Sequence, residues 1–287
     1  MDTLKEERWQ GDRDLFVARA KELGADVLVI VPHNGGAMAK AVNMAHDAGI
    51  PVLAYDRLIT DCDLDLYMTF DNEKVGELQA QFLVDHLPKD RKKKIVRIYG
   101  AKTDNNALLY KRGQDKVLTP LIDRGEFEVV HEDWTQDWKP ENAKKIASAA
   151  ITKAGANFDA ILASNDGTAG GAIQALSEEG LAGKILVTGQ DAELSACQRI
   201  VNGTQAMTIY KPLSQLAKQA AEAATKMARS KPVFALGKIN NGKIEVPSIL
   251  LDVIVATKEN MMDTIVKDGF HKAAEVYRSL PEAQQSR

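Results

Sequence analysis

The feature that most limits what this chain can fold into is a repeated alternation. Short β-branched and apolar runs at 27–31, 52–55, 95–99, 127–130, 160–163, 185–188 and 207–210 are separated by amphipathic helical stretches. Within 73–86, Val75, Leu78 and Phe82 recur at i, i+3 and i+7, and the Ala-rich stretch 213–227 opens after Pro212, which suits a helix start. Strands separated by helices in this way belong to parallel, doubly wound sheets buried on both faces. The predicted fold class is α/β. Asp63-Leu64-Asp65-Leu66 reads as alternation entering a further strand. Thr3 and Glu6 form a candidate capping box for a first helix whose apolar stripe is Trp9, Phe16, Ala20 and Leu23, closed by Gly24.

Composition narrows the functional classes. With 37 basic and 40 acidic residues the net charge is −3, and 287 residues suffice for two domains of about 150 residues each. The densest basic run is 91–94, so nucleic acid is not an expected partner. The longest apolar run falls far short of the ~18 residues a membrane span needs, and no signal-like segment opens the chain. Cys62 and Cys197 have no ligand spacing, the five histidines are scattered, and HExxH is absent, so neither a metal nor a cofactor is expected. Asp61, Asp63 and Asp65 imitate the start of a calcium loop, but Leu66 stands where glycine is required and Asn72 where a glutamate belongs.

Ligands of open parallel sheets bind outside the carboxyl ends of the strands. Here those ends are polar: Asp56 and Arg57 follow 52–55, Asp104 and Asn106 lie beyond 95–99, Asn165 and Asp166 follow 160–163, Asp191 follows 185–188, and Lys211 follows 207–210. Carboxylates and amides interspersed with cations suit a ligand with many hydroxyls, whereas a phosphate would call for GxxxxGK[ST], which is absent. For any one such carboxylate a helix N-cap is an equal alternative; four together favour a site. Trp9 and Trp138 can stack on the C–H face of a sugar. Trp138 sits in the polar loop 133–140, while Trp134 is read as structural.

These residues, in this order, resemble the substrate-binding proteins of bacterial D-xylose ABC transporters, which are type I periplasmic binding proteins. The segments that carry the resemblance include 7–10, 54–57, 70–80, 104–107, 163–166, 170–176, 189–191, 210–212 and 267–272. It implies two similar doubly wound lobes joined by three crossing segments near 101–103, 211–212 and 245–247. The first lobe would hold 1–102 plus 212–245, and the second 103–211 plus 246–287. It implies that Arg8, Trp9, Asp56, Arg57, Asp104, Asn106, Trp138, Asn165 or Asp166, Asp191 and Lys211 face the sugar. The chain departs from the family by lacking a strand ahead of Met1 and one strand-helix unit between Ala25 and Asp26, which would leave strand 27–31 as an uncovered edge.

The expected function is binding of a monosaccharide, D-xylose or a relative, between two lobes, without catalysis. The expected partner is an ABC transporter permease, the alternative being the ectodomain of a membrane histidine kinase. The expected location is periplasmic, or extracellular and membrane-associated. A sugar-responsive repressor would need a helix-turn-helix ahead of the core, and a sugar-processing enzyme would need a catalytic motif; the sequence shows neither.

Overall fold

The computed structural model describes residues 7–280, with side chains from Leu15 onward. Thr3 and Glu6, and the side chains of Arg8 and Trp9, lie outside the described residues. The chain divides into two compact units. The first contains the residues up to Asp71, Thr103–Asn106 and Pro212–Asp252; the second contains Asn72–Lys102, Ala107–Lys211 and the residues from Val253.

The first unit carries α1 (Glu7–Glu22), β1 (Leu28–Ile30), α2 (Ala39–Asp47), β2 (Val52–Tyr55) and β3 (Leu66–Phe70). The second unit takes α3 (Asn72–His86), β4 (Lys93–Tyr99), α4 (Asn105–Asp123), whose first two residues are counted with the first unit, and β5 (Phe127–Trp134). It continues through α5 (Pro140–Ala154), β6 (Ala160–Ala163), α6 (Asp166–Glu178), β7 (Leu186–Val187), α7 (Leu194–Val201) and β8 (Thr208–Tyr210). The chain then returns α8 (Leu213–Ala228), β9 (Gly237–Asn240) and β10 (Glu245–Leu251) to the first unit, and ends in the second with β11 (Ile254–Ala256) and α9 (Ala273–Val276).

In the first unit the sheet order is β1-β2-β3-β10-β9, with only β9 antiparallel. Its core joins Ile30, Val52 and Val246 of the sheet to Val17, Ala41, Val42 and Ala45 of the helices. Helix α1 closes on Gly24, which takes φ +67 while the Ala25 N–H donates to the Ala20 carbonyl at 2.9 Å, a terminus glycine reaches without a Cβ penalty. The stripe expected on this helix is corrected. Val17 and Ala20 face the core, while Phe16 and Leu23 are exposed, because at 100° per residue they flank the inward face rather than lie on it. Among the described residues β1 is a sheet edge, and Val29 and Val31 are exposed on it.

The second unit has a four-stranded parallel sheet, β5-β4-β6-β7, which a bridge between Gln190 and Ile209 extends towards the antiparallel pair β8-β11. This sheet corrects two expected boundaries. Residues 72–102 do not belong with the first unit, because β4 pairs in register with β5 and β6, Ile95 opposite Ala160 and Ile98 opposite Ala163. Residues 246–252 do not belong with the second, because β10 runs parallel to β3 with Leu251 opposite Phe70. The chain thus leaves the first sheet after Phe70 and Asp71, one helix and one strand earlier than the sequence suggested. Glycines let the helices of the second unit approach closely. A Cβ on Gly171 of α6 would lie 2.0 Å from the Pro140 carbonyl oxygen of α5, and one on Gly113 of α4 would lie 1.9 Å from the Glu73 carbonyl oxygen of α3.

Candidate functional site

In the first unit β2 ends in a strained turn. Asp56 has φ 65, unfavourable for a residue with a Cβ, and its carbonyl oxygen is held by three donors: Thr69 Oγ1 at 2.7 Å, Tyr67 Oη at 3.1 Å and Asn106 Nδ2 at 3.2 Å. The backbone is thereby fixed with the Asp56 side chain half-buried just past the sheet. Arg57 follows, its Nε 3.1 Å from Asp104 Oδ2 and its Nη1 donating to the His33 carbonyl at 3.4 Å. Asp104 is buried and uses its other oxygen, Oδ1, to accept from the Asn106 N–H at 2.9 Å, as an N-cap of α4 does. Asp104 therefore both caps a helix and orients a guanidinium, so the two readings of a strand-end carboxylate coincide in one residue.

The second unit repeats the device at the end of β7. Asp191 has φ 100 and Ala192 φ 52, and the Asp191 N–H donates to the Ile209 carbonyl at 2.9 Å. The Asp191 carboxylate accepts from Gln190 Nε2 and lies 4.0 Å from the ammonium of Lys211. Lys211 is buried and donates to Tyr110 Oη at 2.9 Å, so its charge is aimed rather than free to roam. Tyr110 in turn meets the edge of Trp138, ring centroids 6.3 Å apart. Trp138 is half-buried in a left-handed turn with Asp137, φ 59 and 56, and packs so tightly on Gly100 that a Cβ there would lie 2.0 Å from Cη2 of the indole. Trp134 instead tilts against Tyr99, ring centroids 4.8 Å apart, with the Lys102 ammonium 5.5 Å from the centre of its ring, a packing role.

Asn165 and Asp166 part company. Asn165 caps α6, its Oδ1 accepting from the Thr168 N–H at 2.9 Å. Asp166 is fully buried and spends both carboxyl oxygens on the protein: Oδ1 accepts from Gln205 Nε2 at 2.7 Å, and Oδ2 accepts from Thr208 Oγ1 at 2.9 Å and the Glu193 N–H at 3.0 Å. Burial first, and the neighbouring Asp191 charge second, push its carboxyl up to about 8, against three donors that favour the charged form.

Two contributors escaped the sequence reading. Gln79, on the inward face of α3, reaches three carbonyls at the ends of β6 and β7: Ser164 and Gly189 at 3.1 Å and Ala163 at 3.4 Å. Gln114 holds it from behind at 3.1 Å. A glutamine i+4 from Val75 on an apolar stripe was the available signal. Beside them, Thr135 Oγ1, Ser164 Oγ and Gln190 Oε1 are buried without a hydrogen-bond partner among the described residues, all just beyond the strands of the second sheet. Buried polar atoms normally find partners, so these strand ends have spare capacity for a polar ligand.

Two doubly wound α/β units with polar strand ends have the architecture of a protein that binds a polar ligand at its sheet termini. The chain belongs to the periplasmic binding protein domain family, which it matches over residues 16–232. It is 46% identical to the D-xylose-binding periplasmic protein of Haemophilus influenzae, covering 96% of this chain and 90% of that one, and 47% identical to the D-xylose-binding periplasmic protein of Escherichia coli, covering 96% and 91%. A carbohydrate transporter solute-binding protein of Chloroflexus aurantiacus, solved in complex with D-glucose, superimposes with a TM-score of 0.86 at 35% identity, covering 90% of this chain and 84% of that one. The first alignment runs over 303 positions, to which 96% of 287 residues contributes about 276, so about 27 positions of the relative lie opposite gaps in this chain. The relatives are solute-binding proteins, and among the described residues no helix is long and apolar enough to cross a membrane.

Proposed function

We propose that this chain binds a monosaccharide, D-xylose, without chemical turnover, and delivers it in the periplasm to the permease of an ABC transporter. The observation that carries the reading is the matched pair of strand-end aspartates, Asp56 and Asp191, one in each unit. Each is held at positive φ, and each has a cation close by: Arg57 is the next residue to Asp56, and Lys211 lies 4.0 Å from Asp191. Backbone strain of this kind concentrates where a side chain must be presented to a ligand. In this reading the carboxylates accept sugar hydroxyls, Arg57, Lys211, Asn106 and Asn165 donate to them, and Trp138 offers its face to the C–H side of the ring. The xylose-binding relatives at 46–47% identity support the choice of pentose.

Calorimetry against xylose, ribose, arabinose, glucose and galactose tests it. Xylose should bind tightest and be recovered unchanged. Asp191→Ala and Arg57→Ala should each weaken it roughly tenfold or more, since a hydrogen bond to a charged group contributes about 1.5 to 3 kcal/mol. Absence of binding to every sugar, or parental affinity in both variants, would refute the assignment.

A further inference from the structure

Asp191 and Ala192 occupy left-handed backbone conformations in succession, at φ 100 and 52. Neither is glycine, so the turn 189–193 holds only if its surroundings over-determine it. The restraints converge on one buried residue, through its backbone and its carboxyl. The Asp166 N–H donates to the Gln190 carbonyl at 2.9 Å, ahead of the strained pair, and Asp166 Oδ2 accepts from the Glu193 N–H at 3.0 Å, behind it. Between these, the Ala192 N–H donates at 3.1 Å to Thr208 Oγ1, and that hydroxyl bonds to Asp166 Oδ2 at 2.9 Å. Gln205 completes the set by donating to Oδ1 at 2.7 Å and to the Met207 carbonyl at 3.1 Å, and Arg199 fixes the Asp166 backbone through its carbonyl at 2.9 Å. The turn approaches Asp166 so closely that a Cβ on Gly189 would lie 2.0 Å from Oδ1. The carboxyl is fully buried and its oxygens are occupied, so it has no direct part in holding a sugar.

We infer that Asp166, with Thr208, is the positioning residue of the ligand turn: it clamps the turn on both sides of the strained pair and so aims the Asp191 carboxylate. The inference rests on Asp191 being a sugar ligand, as proposed above. An asparagine at 166 cannot replace the carboxyl. If its amide oxygen accepts from the Glu193 N–H, its NH2 faces the NH2 of Gln205; in the reverse orientation the Glu193 N–H loses its acceptor. Either way the clamp opens on one side, while volume and shape are kept.

The test is xylose calorimetry on the full chain with Asp166→Asn, Thr208→Val, Thr208→Ser, Asp191→Asn and the double variant Asp166→Asn/Asp191→Asn, each checked for folding by circular dichroism. Asp166→Asn and Thr208→Val should each weaken binding roughly tenfold, and Thr208→Ser, which keeps the hydroxyl, should restore it. In the Asp191→Asn background Asp166→Asn should cost less than about twofold more, because its effect passes through Asp191. Should Asp166→Asn fail to fold, Thr208→Val and its serine rescue carry the same expectation. Parental affinity in Asp166→Asn or in Thr208→Val, or full additivity in the double variant, would overturn the inference even with Asp191 confirmed as a ligand. Parental affinity in Asp191→Asn would instead overturn the assignment of Asp191, and this inference with it.

Discussion

Replacing Gly100 by alanine should disable one stacking surface with a single methyl group. The backbone at Gly100 does not need positive φ, so alanine costs no conformational strain. Space is the obstacle: the new Cβ would lie 2.0, 2.2 and 2.4 Å from Cη2, Cζ2 and Cζ3 of Trp138, where ordinary contact begins near 3.4 Å. The indole must therefore retreat by about 1.4 Å or change rotamer, since the alternative is to move β4, which is hydrogen-bonded on both sides. Its edge contact with Tyr110 would go with it, and Tyr110 is the partner of the Lys211 ammonium. An aromatic contact contributes about 0.5 to 1.5 kcal/mol beyond area burial, so xylose affinity should fall roughly twofold to tenfold. Calorimetry reads the affinity. Fluorescence reads the ring, best in a Trp134→Phe background that leaves Trp138 with Trp9 alone. Loss of affinity with a shifted emission and an unchanged melting temperature is the expected result. Parental affinity with a demonstrably displaced indole would show that Trp138 does not meet the sugar.

Gly171→Ala should be among the most damaging single substitutions, by about 1 to 3 kcal/mol or more in urea unfolding, because its Cβ meets backbone, the Pro140 carbonyl oxygen at 2.0 Å, and so forces α5 from α6; a loss below about 0.5 kcal/mol would contradict the close packing. Stability should also depend on pH through Asp166, whose carboxyl is raised in the folded state to about 8 from its ordinary 3.8. The folded chain then holds a proton that the unfolded chain has released, so the contribution is full below about pH 4 and is lost as pH rises towards 8. Asp191, Glu193, Arg199 and Cys197 surround the carboxyl in the same unit, so the comparison is the parent minus Asp166→Asn between pH 5 and 9, and a difference that does not decline with pH would refute the assignment.

Strand ends were legible in the sequence because strand cores and polar termini differ sharply in composition: Val52 to Ala54 are fully buried, and the very next positions are the half-buried Tyr55, Asp56 and Arg57. The first passage between sheets was not legible. Residues 66–70 and 93–99 both read as strands, and which sheet each joins is decided by register partners distant in sequence, Leu251 opposite Phe70 and Ala160 opposite Ile95, rather than by local pattern. Nor could the pattern separate Asn165 from Asp166. Adjacent polar residues at a helix start differ in direction: here one caps the helix, and the other turns inward to Gln205 and Thr208. Gln79 was hidden for a related reason, since its position on the helix is a core position and its amide NH2 donates to carbonyls 84 to 110 residues away.

The two strained aspartates show what the sheet termini supply that a helix or an ordinary loop would not. At the carboxyl end of a parallel strand the chain must turn away from the sheet, and this is where open α/β sheets bind their ligands. Putting a residue with positive φ at that point makes the turn in one or two residues, and the side chain then projects from the most rigid part of the unit. The strain has to be offset locally, and each unit does so with its own set: Tyr67, Thr69 and Asn106 around the Asp56 carbonyl, and Asp166 and Thr208 around the Asp191–Ala192 backbone. Asn106 and Asp166 stood out among the strand-end residues, whereas Tyr67, Thr69 and Thr208 did not, because they lie within neighbouring strands. A carboxylate fixed in this way loses little freedom when it accepts a hydroxyl, so little of its interaction energy is spent on ordering. Presentation of this kind favours selectivity among epimeric sugars, in which one hydroxyl changes direction while the rest of the molecule stays the same.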